Sequence, residues 1–278
     1  MKTPSTDSAP DAEVLDPQGE AVKALRNEHG GIPERIVPDV EGNLMKASHF
    51  VRYEFATTIC KDKAVLDAAC GVGYGSFRLT EFAAAVVGVD ISPLAIEYAR
   101  RRYRNPRLSF VRADLSCLPF PDHSFDVICA FEAIEHLREV ELFLAEVHRL
   151  VRGKGLFVVS TPHAKTTTTR PRNPYHHIEY SLADFRSLLS RFFARVEVYG
   201  QRRVESELSR VLRRIDVFNL RSRALFRPFR KQVGRAVHTT PMEDMNVKDF
   251  EIGKTMLHRA TELVAVCSSP VEIRPART

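Results

Sequence analysis

The sequence predicts an α/β fold: a doubly wound, mostly parallel sheet of seven strands with a helical insert before the last one. Three observations carry this. From Val65 onward, short β-branched runs alternate with segments of helical spacing, the pattern of a parallel sheet with helices on both faces. A glycine-rich turn at Gly71, Gly73 and Gly75 follows the first apolar run and leads into a helical one. Folds of this class use such a turn to bind ligands. The chain has 278 residues, 44% apolar and 27% charged, which suits one large domain carrying an addition.

The elements follow in order. Residues 1–20 are rich in Pro, Ser, Thr, Asp and Glu and lack aromatics, so a disordered tail is expected. Residues 21–62 form an N-terminal helical cap, because HFVRYEFATTI has helical apolar spacing. The core spans 63–200. Its predicted strands are 64–67, 84–89, 108–112, 125–131, 155–160 and 194–199, with helices at 76–82, 93–103, 136–151 and 182–193. A basic helical insert occupies 201–258. Residues 259–278 supply the last strand, 262–267, and a tail.

The insert carries most of the charge signal. Its apolar residues Val204, Leu208, Val211, Leu212, Ile215 and Leu220 fall mostly at helical spacings with arginines between them, an amphipathic helix with a basic face. Residues 201–235 hold eleven Lys and Arg against three Asp and Glu, which accounts for the whole net charge of +6. A helical cap over an active site explains this stretch. So does a surface helix that meets an anionic membrane or a phosphate-bearing substrate. The cap is the preferred account, and nucleic acid is the weaker partner.

Other features narrow the class. No apolar run approaches the ~18 residues of a membrane span, and the start, MKTPSTDSAP, lacks the apolar stretch of a secretory signal. The five cysteines form no CxxC pair. They read as reduced thiols of a cytoplasmic protein, peripheral to the membrane at most, rather than a disulfide or zinc framework.

The segment VLDAACGVGYGS holds the clearest chemistry. An apolar strand ends in Asp67, the turn follows, and about twenty residues on AVVGVD ends in Asp90, where a carboxylate binds ribose hydroxyls. A dinucleotide fingerprint would want glycine at Ser76. A dinucleotide would also bring its pyrophosphate to this helix start, close to the like charge of Asp67. S-adenosylmethionine has no phosphate, and its ammonium and sulfonium suit a carboxylate.

With these motifs, residues 60–200 and the final strand resemble the class I S-adenosylmethionine-dependent methyltransferases, of the type 11 and 23 kind. The resemblance implies that Asp67, Ala69, Gly71 and Gly73 hold the methionine portion and Asp90 the ribose. It places Ile91 beside the adenine and Asp114 and Leu115 at its amino edge. Phe131 and Glu132 come to the reactive edge. Asp126 is expected to be structural. Tyr53, on the helix before the core with His49 and Arg52, is expected to cover the cofactor. Cys70 is expected to be a small packing residue.

Methyl transfer to an alcohol needs a base near neutrality, and His136, after the fourth strand, is the first candidate. Glu132, Glu135 and His136 form E-x-x-E-H, and NPYHHIEYS brings His176, His177 and Glu179. Two carboxylates and imidazoles can hold a divalent metal. The set Glu132, Glu135, His136 and His176 is similar to that of small-RNA 3′-terminal 2′-O-methyltransferases, although Ile178-Glu179-Tyr180 and the basic insert depart from that family. The same stretch, together with PERIVPDVEGNLMKASHFVRY, also resembles bacterial methyltransferases of sugars and other small molecules over most of the chain. That second resemblance implies an enzyme that O-methylates a sugar or a glycosylated or lipid-linked compound, with His136, His176 and His177 as catalytic candidates and no metal favoured. The alternatives are metal-assisted RNA 2′-O-methylation and a non-catalytic nucleotide-binding scaffold.

Overall fold

The computed structural model describes residues 20–27, 37, 43–204, 246–255 and 257–271. The expected N-terminal tail and the predicted helix after Val204 lie outside them. Helices α1 (Glu20–Asn27) and α2 (Asn43–Cys60) come first. The core runs β1 (Ala64–Ala68), α3 (Tyr74–Leu79), β2 (Ala85–Asp90), α4 (Pro93–Arg102), β3 (Leu108–Arg112), β4 (Phe125–Phe131), α5 (Val140–Leu150), β5 (Val151–Pro162), α6 (Leu182–Ser190) and β6 (Phe193–Arg203). Further along the chain come β7 (Phe250–Gly253) and β8 (Glu262–Pro270).

Among the described residues eight strands form one sheet in the order β3-β2-β1-β4-β5-β8-β6-β7. β1 to β5 pair in parallel, and β8 runs antiparallel to β5 and β6. The winding reverses between β1 and β4, and in such sheets the crevice at that switch, outside the strands' carboxyl ends, takes the ligand.

The central strands β1 and β4 are almost continuously apolar because both faces are covered. Neighbouring residues point to opposite sides. Leu66, Ile128 and Phe157 join Phe143, Phe185 and Phe193 in one cluster. Val65, Val127 and Val158 join Tyr53, Leu79 and Tyr98 in the other. Local signals set several ends. Ser92 caps α4 by accepting from Ala95 N at 3.1 Å, with Pro93 next, where proline's missing N–H costs nothing. Ser181 caps α6 through Asp184 N.

The sheet has eight strands, not seven. The extra one, β7, lies within the stretch expected to be a helical insert, and it pairs antiparallel with the end of β6. β6 itself runs on through Arg202 and Arg203, and Arg202 pairs with Glu251 of β7. FEIG is too short to show a period, so only its ladder with β6 makes it a strand. α5 begins at Val140 rather than at 136, because Ile134–His136 forms a separate 3-10 turn. Among the described residues no helix is long and apolar enough to cross a membrane.

Candidate functional site

The turn between β1 and α3 is built from three left-handed residues: Ala69 (φ 60°), Gly71 (φ 56°) and Gly73 (φ 85°). Gly75, which the sequence reading grouped with the turn, lies inside α3. It is needed for a different reason. A Cβ there would stand 1.9 Å from the Tyr53 ring. The left-handed conformation costs an L-residue roughly 1–2 kcal/mol, so Ala69 holds the turn under strain. Ala69→Gly should relieve that strain, less the ~0.4–1 kcal/mol lost to a freer unfolded chain. The expected result is a melting temperature about 1–3 °C higher, measured by scanning calorimetry.

Asp67 forms the floor of the turn. Its carboxylate is fully buried. It accepts from Ser76 Oγ at 2.6 Å and from Tyr53 OH at 3.4 Å. Burial raises its pKa to about 7 against the pull of those hydrogen bonds, so below neutral pH the carboxyl takes up a proton that a bound cation would displace. Ser76 entered the sequence reading only as a missing glycine, and the structure shows it to be a donor to Asp67. Asp90 accepts from Gly71 N and Ser92 N, each at 2.9 Å, which braces the turn across the β1–β2 edge. Beside it Ile91 is 60% exposed, a large apolar side chain suited to the face of a base. Asp114 accepts from Ser116 N and Oγ at 2.8 Å each, and these bonds, the backbone one foremost, hold its pKa below the usual carboxylate value. Leu115 is buried in the core. Asp126 lies at the opposite end of β4, where it accepts from Ala64 N at 2.9 Å and pairs with Arg152 at 2.7 Å, a structural role. These residues fit a nucleoside with a cationic tail and no phosphate.

The other half of the site lies at the ends of β4, β5 and β8. Phe131 meets Tyr53 edge to face at 5.0 Å. Glu132, just beyond β4, is a left-handed non-glycine (φ 53°). The Ser160 hydroxyl accepts from its N–H and donates to its Oε1, both at 3.1 Å. Glu135 is fully buried. Its Oε2 accepts from Thr161 Oγ1 at 3.1 Å, and its Oε1 has no hydrogen-bond partner. Burial first, and Glu132's charge second, push its pKa well up.

The two histidine-bearing motifs meet here. His177 N donates to Glu135 O at 2.7 Å, which stitches the 173–179 loop to the 3-10 turn. His136 Nδ1 lies 3.2 Å from Tyr175 O. A carbonyl only accepts, so this bond fixes the Nδ1–H tautomer and puts the lone pair on Nε2. His176 engages Glu179 Oε1 through Nδ1 and Asn173 Nδ2 through Nε2, each at 2.9 Å. Its ring stands edge-on to His136 at 4.8 Å. Candidate ligand atoms of Glu135, His136 and His176 all lie within 4.8 Å of one another. The unpartnered Glu135 oxygen and the mixed oxygen and nitrogen donors fit a divalent cation.

Sequence reasoning missed Glu262. It opens β8 and faces Pro162 at the end of β5. Because β8 runs antiparallel, its first residue arrives at the carboxyl edge of the parallel strands. Burial and the nearby Glu132 raise the Glu262 pKa well above its ordinary value. Thr161 and Gln201 were missed too, since nothing local marks either one.

Residues 66–159 match the family model described as a methyltransferase domain. A "Probable S-adenosylmethionine-dependent methyltransferase" of Mycobacterium tuberculosis is 38% identical over 160 residues, covering 56% of this chain and 58% of that one. A phthiotriol/phenolphthiotriol dimycocerosates methyltransferase of the same organism is 39% identical over 123 residues, covering 44% and 43%. The chain thus spans less than two thirds of the length of these curated relatives. Among solved structures, a SAM-dependent methyltransferase of Thermotoga maritima superposes with a TM-score of 0.56 at 12% identity, covering 81% of this chain and 91% of that one. SpnF, described as a cyclase, gives 0.53 at 19% identity, covering 90% and 94%. At such identities the likeness is one of fold, and a cyclase on the same fold illustrates that fold does not fix chemistry.

Proposed function

From the premise that this chain carries a class I S-adenosylmethionine-dependent methyltransferase domain, we propose that it methylates a hydroxyl of a small molecule, such as a sugar or a glycosylated or lipid-linked compound. The observation that carries the proposal is the left-handed turn at 69, 71 and 73, set between Asp67 and Asp90. The cofactor, when bound, supplies an electrophilic methyl group on a sulfonium. The protein's own groups do the rest. Ionised Asp67 takes the ammonium, Asp90 takes the ribose hydroxyls, and Tyr53 lies over Asp67 and Phe131.

An alcohol becomes a competent nucleophile as its proton leaves, and His136 is the base the geometry supports. Tyr175 O orients its ring so that Nε2 carries the lone pair. Support for a hydroxyl acceptor comes from the relative whose name specifies phthiotriol and phenolphthiotriol dimycocerosates. The net positive charge of the stretch 201–235 would attract an anionic acceptor or surface.

Labelled cofactor and an acceptor screen test the proposal. His136→Ala should lower turnover by about 10²–10⁴ with cofactor affinity unchanged. His176→Ala should do less, because both its ring nitrogens are engaged within its own loop. Full turnover in both variants would end the assignment of this cluster to catalysis.

A second reading has Glu135, His136 and His176, with Glu132 near, hold a divalent cation, His176 Nε2 exchanging its Asn173 bond for the metal, and the unpartnered Glu135 Oε1 favours it. Such an ion would lower the pKa of an acceptor hydroxyl. Loss of activity on chelation and its return with Mg²⁺ or Mn²⁺ would support it. RNA as the acceptor would show log affinity falling linearly with log salt. A well-folded sample that binds no S-adenosylmethionine would leave only a scaffold.

A further inference from the structure

At its methionine end S-adenosylmethionine is a zwitterion, with an ammonium and a carboxylate on one carbon. The site has acids to spare in Asp67, Asp90, Glu132, Glu135 and Glu262, so its anion-binding group is the open question. Among the described residues, Arg52 is the one buried arginine or lysine, 1% exposed. It sits on α2, one residue before Tyr53, whose hydroxyl meets Asp67.

Arg52 is held from one side only. Its Nη1 donates to Gln201 Oε1 at 3.0 Å, and Gln201 Nε2 donates to Ser48 O at 2.9 Å, one turn back on α2. That second bond fixes which end of the amide faces the guanidinium. Nε and Nη2 have no hydrogen-bond partner. Together they form one edge of the guanidinium fork, which matches a carboxylate through two parallel bonds. Leaving such an edge buried and unpaired is costly, so the working state must supply its partner.

Its surroundings point to the cofactor crevice. The Arg52 charge acts on the phenol of Tyr74, the residue after Gly73. It acts also on His49, which burial foremost keeps neutral, and on Glu262. Geometry agrees: His49, one turn earlier on α2, meets the Tyr74 hydroxyl through Nδ1 at 3.4 Å, and Gln201, which holds the guanidinium, is the strand partner of Glu262.

We propose that the Nε–Nη2 edge of Arg52 clamps the carboxylate of the cofactor's methionine portion, with Gln201 as its positioning residue. This rests on the cofactor assigned under Proposed function. Asp67 and Arg52 then divide the zwitterion between them, anion to ammonium and cation to carboxylate.

The test compares S-adenosylmethionine with decarboxylated S-adenosylmethionine, which keeps the sulfonium and the amine and lacks only the carboxylate. Dissociation constants are measured by calorimetry on the full chain. The wild type should prefer the carboxylated form by about thirtyfold or more, the scale of a buried charge pair. Arg52→Met should erase that preference while binding the decarboxylated form as well as before. Arg52→Lys, which keeps the charge and loses the fork, should keep part of the preference and serves if Arg52→Met fails to fold. Gln201→Leu should also keep only part. Equal weakening of both ligands in the Arg52 variants would make the residue a structural support and overturn the proposal. An undiminished preference would overturn it too and assign the guanidinium to the acceptor. A folded wild type that binds neither ligand would bring down the cofactor reading itself, and the clamp with it.

Discussion

Asp67→Asn should weaken S-adenosylmethionine binding by about thirtyfold to several thousandfold, the scale of truncating one partner of a buried charge pair. Asparagine keeps the size of the side chain and a partner for Ser76 Oγ, so the loss isolates the charge. The same residue sets a pH dependence. Its carboxyl is raised from 3.8 to about 7, chiefly by burial, and only the ionised form pairs with an ammonium. Wild-type affinity should therefore rise about tenfold per unit of pH up to 7. It should then level off and fall again as the cofactor's own amine, pKa ~7.7–8.0, loses its proton. The variant should lack the rising limb.

The linked effect on stability has the opposite sign. A carboxyl whose folded pKa is raised stabilises the fold below its unfolded pKa, and that contribution is lost as pH rises through the folded value. Without cofactor, Asp67→Asn should thus melt higher than the wild type at pH 8 and lose this advantage toward pH 4. A wild-type binding curve that stayed flat between pH 5.5 and 7 would contradict the assignment.

Gly75→Ala should damage stability and binding together. The new Cβ would meet the Tyr53 ring at 1.9–2.3 Å, and that ring is itself fixed by edge contacts with Tyr74 and Phe131. Overpacking of this kind costs about 1–3 kcal/mol, and Tyr53 must leave its place over Asp67. The expected outcome is a melting temperature several degrees lower and cofactor affinity reduced at least about tenfold. Gly153→Ala is the control. Nothing lies within 4 Å of its Cβ position, so both measurements should match the wild type. Unchanged cofactor binding in Gly75→Ala would show that Tyr53 does not cover the cofactor.

Much of this molecule was legible in the sequence, and the residues show why. β4 occupies 125–131 as its apolar run predicts, because a strand buried on both faces is marked by its own composition, and the edge strand β3 occupies the expected 108–112. Asp67, the turn and Asp90 were legible because their chemistry is confined to about 25 consecutive residues, where spacing alone sets their proximity. The pairing of E-x-x-E-H with NPYHHIE was legible as residue types, and backbone bonds from His177 and Ile178 to Glu135 O realise it.

Other features were decided by the tertiary structure. Ala69, not Gly75, is the third left-handed residue of the turn, and Gly75 is glycine because Tyr53, 22 positions earlier, packs against it. Glu262 joins the site through the antiparallel setting of β8, and Arg52 is oriented by a glutamine 149 residues away. The edge strand β7 exists because β6 offers it a ladder. Composition, periodicity and turn chemistry are local and were therefore written in the sequence. Strand register, burial and the charge state of Asp67 depend on what distant segments bring alongside, so they were settled only when the chain folded.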